Sequence, residues 1–84
     1  MKLHEAKIKE EYYDAVKLGL KTFVVGKNDR DCKVGDLINF NVIYDNGYIE
    51  KPDEVYKIIY ILKGDPEYGL DKDYCILGIE KLNY

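Results

Sequence analysis

The sequence predicts an α+β fold, mainly β, in which five or six short strands and one principal N-terminal helix form a small, partly open barrel. Three observations point there. Apolar residues alternate with polar ones in several short runs, as in half-buried strands. One segment, residues 10–18, spaces its apolar residues three and four apart. Turn-forming residues interrupt the chain at intervals too short for long helices. With 84 residues the chain can bury one core but not two, so residues 1–84 are expected to form a single domain.

Each element follows from its local pattern. His4, Ala6 and Ile8 alternate with Glu5, Lys7 and Lys9, a period of two that reads as a strand. His4 therefore reads as a packed, hydrogen-bonded histidine, with a general base as the alternative. Tyr13, Val16 and Leu20 then share a helical face, and Tyr12 and Ala15 widen it. Glu10 and Glu11 suit the positive end of that helix, and Gly19 can supply the left-handed residue that ends it.

Residues 22–26 return to extended structure because Phe23, Val24 and Val25 are β-formers, and the polar run 27–31 reads as a loop. Val34, Gly35 and Asp36 turn into a long strand that places Ile38, Phe40, Val42 and Tyr44 on one face, with Asn39 and Asn41 on the other. Asp45, Asn46 and Gly47 signal a hairpin. The returning chain starts at Tyr48, is interrupted at Pro52, and is strongly β-forming over residues 55–62. Residues 63–73 contain Gly64, Pro66 and Gly69 and read as a surface loop before a last strand at 74–82. Closing these strands into a barrel would remove exposed edges.

The net charge is −3, which argues against generic binding to a nucleic-acid backbone. That charge is unevenly placed. Residues 17–33 carry five cations against two acids, whereas residues 34–84 carry five lysines against ten acids. Cys32 and Cys75 form no CxxC motif and have a single histidine for company, too sparse a set of ligands for zinc. No metal and no cofactor are expected. Residues 1–12 lack the apolar stretch of a signal peptide, and the run 58–62 is too short to span a bilayer. These features point to a cytoplasmic protein that makes no membrane contact and keeps both cysteines as thiols rather than a disulfide.

The stretch from Gly19 through Lys21, Lys27 and Asp31, followed by Val34-Gly35-Asp36, resembles a family of uncharacterised bacterial and phage proteins grouped with the ASCH domains of the PUA-like superfamily. The similarity continues through His4-Glu5, Tyr12 to Val16, Tyr60 to Leu62, Tyr68 to Leu70 and Tyr74 to Leu77. It implies a PUA-like β-barrel, a fold associated with RNA binding. ASCH domains typically carry GxKxxExR beside the helix, with charged residues turned into a cleft. Gly19 and Lys21 match this pattern, but Val24 stands at the Glu position and Gly26 at the Arg position. Both departures remove charge. Similar small acetylcytidine amidohydrolases use a Lys with a nearby Thr and a downstream Glu, and Val24 departs from that arrangement as well.

Lys21, Lys27, Asn28, Arg30 and Tyr68 are the candidate ligand-binding residues; no catalytic residue is assigned. Lys21 can contact a ligand or neutralise the helix C-terminus. Lys27, Asn28 and Arg30 can hold phosphate and a base edge, or pair with Asp29 and Asp31. Tyr68, in the loop bearing Gly and Pro, can stack on an unpaired base. The expectation is a noncatalytic module for RNA, a nucleotide or a modified nucleoside. Two alternatives remain. One is a nucleoside amidohydrolase using Lys21 with Thr22 or Glu67, and the other is an accessory protein that binds another protein.

Overall fold

The computed structural model describes residues 1–28 and 31–82. Among them the elements run β1 (Leu3–Lys9), α1 (Glu10–Lys17), β2 (Phe23–Lys27), β3 (Leu37–Ile43), β4 (Ile49–Glu50), β5 (Val55–Lys63), a 3-10 turn (Pro66–Tyr68) and β6 (Tyr74–Lys81). The elements expected from the sequence are present, with ends moved by a residue or two. Lys27 belongs to β2 rather than to the loop that follows it.

The strands form one mixed sheet in the order β1-β3-β5-β6-β2, with β4 added beside β3. β1 runs parallel to β3 and the other pairs are antiparallel. Here the structure departs from an expectation. β1 and β2 lie at opposite ends of the strand order and do not pair, so the sheet is not closed and both edges remain.

Alternation decides which residues face inward. Ile8 on β1, Ile38, Phe40 and Val42 on β3, Ile58 on β5, and Leu77 and Ile79 on β6 form the core with Val24 of β2. Burying each such side chain contributes about 1.5–3 kcal/mol. The helix covers one part of this core with Tyr13 and Val16. Phe40 packs edge-on against Tyr13 and Tyr56, with ring centroids 6.0 and 5.6 Å away.

The helix ends where glycine permits it. Gly19 has φ of 79°, and the N–H groups of Gly19 and Leu20 turn back to the carbonyls of Val16 and Ala15. The Asp45-Asn46-Gly47 hairpin also forms, its Gly47 at φ of 87° and its Asn46 side chain accepting from the Tyr48 N–H. Asn39, expected on the face opposite the core, is itself buried. Its amide donates to the carbonyls of Pro52 and Glu54 at 2.9 and 3.1 Å, pinning the chain between β4 and β5.

His4 is packed and hydrogen-bonded. Its Nε2 lies 2.9 Å from Asp36 Oδ2, and the Asp36 carboxylate also accepts from the backbone N–H groups of Lys2 and Lys33. An ionised carboxylate only accepts, so Nε2 carries the proton. Together these bonds tie the start of β1 to the turn that leads into β3.

Candidate functional site

Because β1 and β2 stay apart, the interior opens between them. The opening is a cleft of about 1060 Å³, bordered by residues 5–9 of β1, residues 24–27 of β2 and the exposed side of α1 at Tyr12. Its floor is core: Ile38, Phe40 and Leu77 line it and are themselves buried. The volume lies at the upper end of the usual range for small-molecule sites, and a mostly apolar lining with a few polar groups is typical of them.

Charge gathers at the rim. Lys7 and Lys9 come from β1, Lys21 from the segment after the helix, and Lys27 from the end of β2. Among the described residues Glu5 is the acid bordering the same cleft, and it is held by Lys51. Lys21 Nζ sits 4.7 Å from the Tyr12 ring centroid and 5.1 Å from that of Phe23, so the rings fix the ammonium in place through cation–π attraction. Lys9 Nζ lies 5.9 Å from the same Tyr12 ring. Four lysines thus border one apolar opening in a protein with net charge −3.

Of the residues expected to bind a ligand, Lys21 and Lys27 come together at this cleft. Asn28 lies just past it, where its backbone N–H donates to the Asp73 carbonyl at 2.8 Å. Arg30 falls outside the described residues. Tyr68 projects from the 3-10 turn, 82% exposed, and does not border the cleft. Val24 and Gly26 both line the cleft wall, beside Lys21.

Sequence reasoning missed Lys7, Lys9 and Asn41, and took Tyr12 only as one of several tyrosines able to stack on a base. Lys7 and Lys9 were visible as the polar half of the first strand's alternation, but only the topology brings that strand to the same opening as β2. Cys32 and Cys75 also border the cleft, as thiols not joined in a disulfide. Among the described residues, no three His, Cys, Asp or Glu side chains gather as a metal site would require. No helix among them is long and apolar enough to cross a membrane.

A family described as Domain of unknown function (DUF3850) matches residues 3–79. No curated protein matches significantly. In three dimensions the chain is similar to hypothetical protein PH0355, known from a crystal structure, with a TM-score of 0.64 and 18% identity over 98% of this chain and 100% of that one. At that identity the likeness concerns the fold alone.

Proposed function

The chain belongs to the DUF3850 family, and from that premise we propose that it is a noncatalytic module that binds a nucleotide, free or within unpaired RNA, in the cleft between β1 and β2. One observation carries the reading: Lys7, Lys9, Lys21 and Lys27 ring an opening with an apolar floor in an otherwise acidic protein. Ammonium groups in that arrangement favour an anion that brings a flat apolar body with it, as a phosphate with its base does.

The resemblance to ASCH domains of the PUA-like superfamily supports the same place. Three of the four pattern positions, Lys21, Val24 and Gly26, border this cleft. Hydrolysis draws no comparable support. Thr22 and Glu67 do not line the cleft, and Glu5 is engaged by Lys51. None of these three is thereby set to manage the Lys21 proton.

A nitrogen-15 NMR titration with nucleoside monophosphates and short single-stranded RNA tests the proposal. Shifts should concentrate at Lys21, Val24 and Lys27. Alanine at Lys21 or Lys27 should weaken binding by about 1–3 kcal/mol for each charge-assisted hydrogen bond it removes. Added salt should weaken it gently, because few phosphates are engaged. Spectra that do not move at millimolar ligand, or shifts confined to the surface around Tyr68, would sink it.

A further inference from the structure

Gly26 stands inside β2, next to its last residue, without a backbone reason to be glycine. The glycines with positive φ are Gly19, Gly35, Gly47 and Gly69, and Gly26 is not among them. Glycine inside a strand loses conformational entropy and packs nothing. Its neighbours explain where the missing side chain would point. Gly26 pairs with Cys75, whose side chain is buried, and paired residues of an antiparallel ladder share a face. A side chain at Gly26 would therefore enter the cleft, and a Cβ built there meets no atom within 4 Å.

The opposite wall is cut back as well. Ala6 shares the inward face of β1 with Ile8 and borders the same cleft. Both small residues border the opening that the buried Phe40 and Cys75 also line. β1 and β2 are the ends of the strand order, so each presents N–H and C=O groups that the sheet leaves unpaired on that side. Asn41 adds an amide.

We propose that this gap is a slot for one heteroaromatic ring, a single unpaired nucleobase entering between Ala6 and Gly26, while its phosphate stays outside on the lysines. The proposal rests on the nucleotide-binding reading above and names how the ligand sits. A flat ring with apolar faces and polar edges matches small walls, an apolar floor and strand edges that both donate and accept. An aliphatic chain leaves those edges unsatisfied. A base held in a duplex cannot enter, so recognition extends to one nucleotide at a time.

The experiment compares binding of adenosine, guanosine, cytidine and uridine monophosphates, ribose phosphate as the ring-free control, single-stranded RNA and an RNA duplex. It uses the unaltered protein, Lys21→Ala, Gly26→Ala and Gly26→Val. At least one nucleotide should bind roughly tenfold or more tightly than ribose phosphate, the equivalent of about 1.4 kcal/mol. Gly26→Val should lose that advantage and Gly26→Ala part of it, with weak ribose phosphate binding unchanged in both. Valine suits a strand and its Cβ meets open space, so the fold should survive; Ala6→Val fills the slot from the other wall if it does not.

The slot is overturned if nucleotides bind, Lys21→Ala weakens them, and the valine variants bind as the unaltered protein does. Ribose phosphate or duplex binding as tight as that of the nucleotides would overturn it equally. Failure of every nucleotide and single-stranded RNA to bind the unaltered protein overturns the parent reading, and the slot with it.

Discussion

Two sides of the same interior behave differently. Where β3, β5 and β6 pair, Tyr56, Ile58 and Ile79 are sealed to 4% exposure or less. Where β1 and β2 border the interior, no ladder joins them, and the inward positions include Ala6 and Gly26. Both sides follow the same alternation of apolar and polar residues. The difference lies in the size of the inward side chains and in whether the backbone groups have partners. Periodicity thus decides which face is inside, while side-chain volume and edge pairing decide whether that inside is filled.

The strongest test of the sealed side is Ile58→Ala. Ile58 is fully buried in the core, so the truncation should destabilise the protein by about 2–5 kcal/mol in urea unfolding. A loss below about 1 kcal/mol would mean that β3, β5 and β6 are not the sealed side, since so small a cost belongs to surface positions.

Two glycines sharpen the contrast. A Cβ at Gly64 would collide with the backbone carbonyl of Asp71 and with Lys72 Cα, atoms that cannot swing aside. Gly64→Ala should therefore cost about 1–3 kcal/mol. Gly26→Ala should be neutral or gain up to about 0.5 kcal/mol, because it meets open space in a strand. Equal costs for the two changes would show that the cleft is not open at Gly26.

Much of the fold was legible before the structure, and the reasons are local. The three-and-four spacing of Tyr13 and Val16, the glycine after the helix, and Asn46-Gly47 each act within a few residues. What was not legible is long-range. The parallel pairing of β1 with β3 joins segments more than thirty residues apart, and nothing in either strand announces it. The cleft depends on that pairing, so Lys21 and Lys27 were found from the basic segment whereas Lys7 and Lys9 were not. Val24 and Gly26, read from the ASCH-like pattern as lost charges, are in the fold a buried wall and an open space.

The joint between β1 and the turn before β3 should appear in acid. Hydrogen bonding from His4, with the Lys2 and Lys33 N–H groups, holds the Asp36 carboxyl down to about 2 from its ordinary 3.8. A carboxyl with a lowered folded value stabilises the protein fully above the unfolded value, and that contribution fades as pH falls from about 4 to 2. Urea unfolding from pH 6 to 2 should show the unaltered protein losing more stability than Asp36→Asn does. Parallel curves would place no ionised acceptor at this joint.

The smallest effects come from a pair of tyrosines beside Phe40. Tyr13 and Tyr56 are both buried, and each packs edge-on against that ring, so their apolar contributions are alike. Their hydroxyls differ. Tyr13 donates to Glu54 Oε2 at 3.1 Å, whereas the Tyr56 hydroxyl is buried without a well-formed hydrogen bond. Burial pushes the acidity of both phenols away from the ionised form, so both hydroxyls stay protonated at neutral pH. Tyr13→Phe removes a bond to a carboxylate and should cost about 1–2 kcal/mol. Tyr56→Phe removes a buried hydroxyl that has only a poorly aligned interaction with the Tyr13 hydroxyl, so its stability should stay within about 0.5 kcal/mol of the unaltered protein or rise slightly. The difference between the two variants, measured under identical conditions, cancels the shared loss of hydroxyl volume and isolates the hydrogen bond. If Tyr56→Phe proved the costlier change, the Tyr56 hydroxyl would have to be satisfied, and the interior beside the helix would be wetter than the sealed packing of Phe40 implies.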